Sequence, residues 1–406
     1  MIKVCHITSV HPAEDVRIFQ KECVSLAKAG YDVTLVQQGE SYEKNGVHIL
    51  GFGAIASNRL QRMLFTSRKA YRKALAADAD IYHLHDPELL PYGLKLKRRG
   101  KTVIFDSHEM YRTMLKYKPY LPKWACRLVA GCYGVYEDYI LRRIDGLVFP
   151  SLQNGKNPFE GKCRRFAVVN NVPRLEEIYD QYDETVPKQE RSAVYIGVMT
   201  YNRGITHFIR AAAQSNCTAY LGGDFSTAAY QTEVESLPEF SCAAYLGRLS
   251  RPQVLETLQR VQVGMANILN VAQYNQYDNL ATKVYEYMSA GLPVILTDAP
   301  YNRKLMEEAP FGICVDPENV AEIAAALQYL FSHPEEAHRM GAAGRQLIRE
   351  RFNWDIEANN LLRFYEEITG LEVTNVCKQT KQPVPFSNSS ELSAIEKQVP
   401  PPRELR

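Results

Sequence analysis

Long apolar runs are missing from this 406-residue chain. No stretch approaches the roughly 18 residues that a membrane-spanning helix needs, so such a span is not expected. A signal-peptide pattern is missing too, since Met1 runs straight into the strand-like IKVCHIT. The nine cysteines are scattered, odd in number and without a C-x-x-C pair. That argues against a disulfide framework or a zinc site and for a reducing, cytoplasmic setting. Charge of one sign is not in excess: 48 Lys+Arg against 46 Asp+Glu leave +2. Nucleic-acid binding therefore has no electrostatic basis.

What is present is an alternation of short apolar strands with amphipathic helices, the pattern of parallel α/β domains. In the first half the expected strands are Ile2–Thr8, Asp32–Gln37, Val47–Leu50, Ile81–His85, Thr102–Asp106 and Gly146–Pro150. The pattern breaks at NGKNPFEGKCRRF, resumes with VVNNVP and ends at Pro173. After a polar stretch a second series follows: Ala193–Ile196, Ala219–Leu221, Ala244–Leu246, Val263–Ala266, Val294–Thr297 and Ile313–Val315. The length suffices for two cores. The expectation is an α/β chain of two doubly wound, Rossmann-like domains facing each other across a cleft, residues 1–173 and 174–350. Ligands would bind beyond the carboxyl ends of the strands. The Ser-, Pro-, Gln- and Lys-rich residues 371–406 are expected to be disordered.

The most informative segment is DNLATKVYEYMSAGLPVI, Asp278 to Ile295. Two acids, Asp278 and Glu286, stand seven residues apart, and a helical run (Ala281 to Ala290) stops at Gly291 before an apolar strand. Asp278 falls in the loop before the helix, with Lys283 and Glu286 on its first turns. A carboxylate there can accept two hydrogen bonds from a ribose diol. Lys283 and the free amides of a helix N-terminus suit phosphate oxygens. The bland alternative is an amphipathic helix with solvated charges.

This segment resembles the acid-x7-acid signature of retaining glycosyltransferases of family 4, in which Glu is common where this chain has Asp278. The loop HPAEDVRIFQKE after the first strand is similar to members that build bacterial capsule, exopolysaccharide or lipopolysaccharide. The resemblance covers about Met1 to Gly370 and implies the GT-B architecture. It implies transfer from a nucleotide-diphosphate sugar, UDP-sugar favoured and GDP-sugar next, to a glycan or lipid-linked saccharide acceptor. No cofactor and no metal are implied. Donor contacts would be Gly197, Arg203, Gly223, Asp278, Leu280, Lys283 and Glu286. Of these, Arg203 and Lys283 would stabilise the leaving diphosphate, Glu286 the ribose and Asp278 the donor sugar. The family's usual basic residue just after the glycine is replaced here by Val198. The acceptor side would comprise Arg17, Asp106, His108 and Glu109, with His108 near the reacting sugar. Arg17 could instead pair with Glu22 or Asp15. The resemblance also assigns residues 351–370 to a helix that crosses back to the first domain.

Other patterns point elsewhere. Asp78-Ala-Asp80 has the D-x-D form of metal-dependent transferases but precedes its strand, the wrong end for a ligand. Gly51-x-Gly53-x-x-Ala56 matches a dinucleotide fingerprint by letters only. His83-x-His85-Asp86, with His108 and Glu109 near on the next strand, could be half of a binuclear metal site and supplies the footing for a rival class, a metal-dependent hydrolase. A nucleotide-sugar epimerase, a phosphorylase or a non-catalytic nucleotide-sugar sensor could share the fold. Finally, Lys95, Lys97, Arg98, Arg99 and Lys101 cluster, and basic residues interleave with Tyr117, Tyr120, Trp124 and Tyr133. That mixture suits a peripheral protein on an anionic inner leaflet. It equally suits a solvated helix end and a core helix.

Overall fold

The computed structural model describes residues 1–370 apart from 55–57, 59–60, 109, 118–121 and 272–274. The expected C-terminal tail, Glu109, Tyr120 and Ala56 thus lie outside the described residues. Fourteen strands are described: β1 Lys3–Ile7, β2 Asp32–Gln37, β3 Tyr42–Lys44, β4 Val47–Gly51, β5 Ile81–Leu84, β6 Thr102–Asp106, β7 Gly146–Phe149, β8 Phe166–Val168, β9 Ser192–Ile196, β10 Thr218–Gly222, β11 Ala243–Gly247, β12 Val263–Ala266, β13 Val294–Thr297 and β14 Gly312–Val315. They form two sheets within one compact unit.

The first sheet runs β3-β4-β2-β1-β5-β6-β7-β8 and the second β11-β10-β9-β12-β13-β14. Only β3–β4 pairs antiparallel. Parallel strands are covered on both faces, so they read as unbroken apolar runs; β5, β7, β12 and β13 are buried throughout. The short strands β3 and β8 escape the sequence pattern because both are edge strands with little burial. In each sheet the strand order reverses once, between β1 and β5 and between β9 and β12. A crevice opens at such a reversal, because the flanking crossovers leave in opposite directions.

The loop after β1 enters a π-helix, Val16–Cys23, whose first amides are capped by Asp15 Oδ1 (2.9 and 3.0 Å to the N–H groups of Arg17 and Ile18). Its wide turn buries Arg17, Ile18, Phe19, Lys21, Glu22 and Cys23. The last helix, Trp354–Thr369, lies on the first sheet: Trp354, Leu361, Phe364 and Tyr365 share a core with Val4, Ile18 and Val33. No helix among the described residues is long and apolar enough to cross a membrane.

Candidate active site

The second sheet's reversal point carries a cavity of ≈ 590 Å³ whose lining includes Tyr195, Gly197, Arg203, Tyr277, Lys283 and Glu286. The end of β9 contributes Tyr195 to Gly197. Helix Thr282–Ser289 contributes Lys283 and Glu286, and Gly291 at φ +60° turns the chain out of it. Ala281 at its N-cap offers no side-chain acceptor; the Val284 N–H donates to the Ala281 carbonyl at 2.8 Å, and the amides of Thr282 and Lys283 have no side-chain cap.

Lys283 Nζ stands 3.2 Å from the centroid of the Tyr195 ring. Burial, and then the neighbouring Arg203 cation, hold its pKa well below the ordinary lysine value, with Glu286 opposing. An anion entering here would relieve both effects. Glu286 accepts a hydrogen bond from Arg251 Nη1 at 2.7 Å, and Arg251 Nη2 donates to Glu177 at 3.1 Å. Leu280 is buried and lines the same cavity.

Two expected donor contacts stand elsewhere. Gly223 (φ +125°) lies behind Gly197: a Cβ there would sit 2.2 Å from the Gly197 carbonyl oxygen. Its role is to let the Gly197 turn pack down, and it is not among the lining residues. Asp278 reaches the turn that follows β7 of the first sheet. Its Oδ2 accepts the Gly155 N–H at 2.6 Å, and its own N–H donates to the Leu152 carbonyl at 3.0 Å. It clasps the turn at residues 152–155, while its neighbours Tyr277 and Asn279 line the cavity.

The first sheet's reversal point holds a chain of imidazoles. His6 and His83 are partners in the β1–β5 register, so their side chains share a face, and His85 follows two residues on. His83 Nδ1 lies 2.8 Å from Tyr365 Oη, and Tyr365 Oη 3.3 Å from His6 Nε2. His6 Nδ1 is 2.8 Å from His85 Nε2, and His85 Nδ1 3.1 Å from His108 Nε2. His108 Nδ1 faces Asp106 Oδ2 at 3.3 Å.

The four imidazoles and Tyr365 thus form one contiguous run of close polar contacts whose donor and acceptor roles follow the ring tautomers. Two ring nitrogens in it are buried without a hydrogen-bond partner: His83 Nε2, and His108 Nδ1, which lies beside Asp106 Oδ2 but not in hydrogen-bonding geometry. Burial foremost lowers the pKa of each imidazole, against the raising influence of Asp106.

Asp106 is anchored by Arg17, whose Nη2 donates to it at 3.1 Å while Nη1 donates to the Val169 carbonyl at 3.0 Å. Arg17 also pairs with Glu22 at 3.0 Å. Burial alone would raise the Asp106 carboxyl; Arg17, then His108 and His85, outweigh it and hold the group well below the usual carboxylate range. Arg17 and Asp106 therefore underlie the site and do not face an acceptor, because each satisfies the other inside the fold. His108 lines a small pocket with Tyr111; its Nε2 is taken by His85, and its Nδ1 is buried beside Asp106 without a hydrogen bond.

The imidazole that reaches the surface here is His11, whose side chain is 28% exposed. Its Nδ1 faces Asp86 Oδ1 at 3.2 Å, and Asp86 accepts from Thr8 Oγ1 (3.0 Å) and the Ser9 N–H (2.6 Å). Burial alone would lower the His11 pKa; the hydrogen bond and charge of Asp86 outweigh it and raise it. His11 heads the HPAEDVRIFQKE loop, yet nothing in that wording marks its pairing with Asp86. The further signal is position, at the carboxyl ends of the two strands that flank the reversal. Arg251 has no comparable signal, since its helix lies outside the acid-x7-acid segment.

Two groups could hold a metal ion by proximity: His6, Glu22, His83 and His85, and His85, Asp106 and His108. In the first, Arg17 already stands beside Glu22 and opposes a second cation. In the second, the ring nitrogens are the links of the imidazole chain. A hydrolase also needs an open coordination position, whereas His6, His83 and Asp106 are fully buried. Asp78 and Asp80 stand at the amino end of β5, held by Lys101 Nζ and the Lys3 N–H.

Residues 17–154 match the family described as glycosyl transferase 4-like domain, and residues 180–347 match glycosyl transferases group 1. The putative glycosyltransferase EpsD of Bacillus subtilis is 25% identical over 288 residues, 66% of this chain and 71% of that protein. Spore coat protein SA of the same species is 36% identical over 89 residues, 22% of this chain and 24% of that protein. The chain thus spans about a quarter of the length of the first curated relatives it matches. Anabaena HepE, solved in complex with UDP-glucose, superposes with a TM-score of 0.65 at 12% identity, over 91% of this chain and all of that one.

Proposed function

We propose that this chain, two glycosyltransferase-type domains in a GT-B fold, is a retaining glycosyltransferase of family 4. It moves a sugar from a nucleotide-diphosphate sugar to a glycan or lipid-linked acceptor in cell-surface polysaccharide synthesis. The observation that carries this reading is the cavity at the second sheet's reversal, with Arg203 and Lys283 on one wall and Glu286 beside them. The two cations stabilise the negative charge that develops on the departing diphosphate, a task that other transferases give to a divalent ion. Glu286 receives the ribose hydroxyls, with Arg251 holding its carboxylate in place. UDP is favoured as the nucleotide because HepE is a UDP-glucose complex of the same fold.

On the acceptor side we place His11, oriented by Asp86, at the surface of the first sheet's reversal point. The chain from His83 to Asp106 braces that floor. The leaving phosphate takes the acceptor's proton, so a glycosidase-type carboxylate pair is not required. Asp278 ties the donor cavity's edge to the facing domain.

A thermal-shift screen of UDP-, GDP-, ADP- and dTDP-sugars, with and without EDTA, tests the reading. One nucleotide series should raise the midpoint regardless of EDTA. Glu286→Ala should remove that response while leaving the ligand-free midpoint within a few degrees of the parent. A response that needs a divalent metal, or full turnover by Glu286→Ala, would refute it.

A further inference from the structure

The helix Lys123–Leu141 has two unlike sides. Cys126, Ala130, Gly134, Ile140 and Leu141 face inward and anchor it. Outward, Trp124, Leu128, Val135 and Tyr139 are 70%, 60%, 73% and 50% exposed. With the exposed Gly131 between them, these positions follow the four-and-three spacing of a single helical stripe. A solvent-facing helix side normally carries charged residues of both signs. Here the exposed charges are all cations: Lys123 and Arg127 near the start, Arg142 and Arg143 at the end. The two acids of this stretch turn away from the stripe. Glu137 is buried, and half-buried Asp138 pairs with Arg112 and Lys162.

We propose that this face docks on an anionic lipid bilayer, a property independent of the transfer reaction. An apolar stripe with a Trp at one end and cations at both ends matches a helix lying in the plane of a membrane interface. Its apolar side chains enter the acyl boundary and its cations meet the lipid phosphates. The same charge pattern disfavours a second copy of the chain. Two identical faces meeting about a twofold axis would set Lys123 and Arg127 against Arg142 and Arg143, or each against itself. The basic cluster on the helix Leu90–Lys97 is less available. Lys97 is held by Asp145 and Lys101 by Asp78. On the stripe itself Arg143 lies over the exposed Tyr139 ring and donates to the Tyr139 carbonyl, which keeps its guanidinium at the surface beside the apolar residues.

The chain contains its own probe. Of its two tryptophans, Trp124 is exposed and Trp354 is buried, so an emission change on docking comes from Trp124. The full chain is titrated with vesicles of equal parts phosphatidylcholine and phosphatidylglycerol, and with phosphatidylcholine alone. The expected result is a blue shift with the anionic vesicles only, reversed at high salt. At about 0.1 M salt, Arg142→Gln with Arg143→Gln should weaken binding on the order of 30-fold, roughly fivefold per basic residue. Leu128→Asp with Val135→Asp, both at exposed positions, should abolish it without moving the thermal midpoint. No blue shift, or undiminished binding by the Asp variant, would overturn the proposal. So would a dimer in sedimentation velocity without lipid that the Asp variant converts to monomer, since that would assign the stripe to a second copy.

Discussion

Substituting Arg17 by Met removes a charge from the interior while keeping most of the side chain's volume. In the folded protein Arg17 is 7% exposed and donates to Asp106 and to the Val169 carbonyl. In the variant, fully buried Asp106 is left beside imidazoles and the buried carboxyl of Glu22, which loses the same cation, and the Val169 carbonyl loses a partner. Breaking a buried ion pair from one side costs about 3–5 kcal/mol, a large part of the roughly 5–15 kcal/mol that holds a domain folded. The pH dependence follows from linkage. Asp106 in the parent stays ionised to below the usual carboxylate range, whereas without Arg17 burial raises its pKa. Below that raised pKa the folded variant binds one proton more than the folded parent. The variant's deficit therefore narrows as pH falls, by up to about 1.4 kcal/mol per pH unit. Loss of Arg17 also raises Glu22 further, so that group acts in the same direction as Asp106. Groups that titrate alike in both proteins cancel in the difference. Urea unfolding of both proteins at pH 8 and pH 6 measures it, followed by Trp354, which packs in the same core as Ile18 and Phe19. A deficit of about 4 kcal/mol at pH 8 should shrink by roughly 2 kcal/mol at pH 6. A deficit below about 1 kcal/mol, or one that grows toward acid, would show that Arg17 does not compensate a buried Asp106.

Three further outcomes are expected. Because burial and Arg203 depress Lys283 below its ordinary value of 10.5, a bound diphosphate should restore its charge. Calorimetry at pH 8 in buffers of different ionisation heat should show up to one proton taken up per nucleotide, with affinity falling as pH rises; zero uptake would count against Lys283 as the phosphate ligand. Gly223→Ala forces the Gly197 turn outward by about an ångström, and a displacement of that size at a binding wall costs up to about a hundredfold; parent-like nucleotide affinity would show that the turn yields freely. His11→Ala should lower kcat more than it changes donor affinity, while Asp86→Asn should lower the apparent pKa of the kcat profile; an unchanged profile would remove the dyad from the acceptor side.

The sequence determined the two parallel sheets almost strand by strand, because a strand buried on both faces must be written as a short apolar run. It also placed Lys283 and Glu286 together, since three positions apart on a helix means one face. Only the tertiary structure decided what those side chains meet. Arg17 and Asp106 are 89 positions apart and stand on strand and helix ends that look like cleft positions, yet they close on each other inside the fold. Asp278 sits at the head of the motif, but its carboxylate is taken by the N–H of Gly155, 123 residues away. His108 carries the letters of a site residue, yet its Nε2 is claimed by His85 and its Nδ1 is buried beside Asp106. The helix Lys123–Leu141 shows the same division: its residues give apolar and basic character, while packing alone decides which side is core and which faces outward. Periodicity records burial, and burial is local to a strand or helix. Hydrogen bonds between distant polar groups leave no period in the chain, so the polar interior of this protein becomes legible only once the strands are laid side by side.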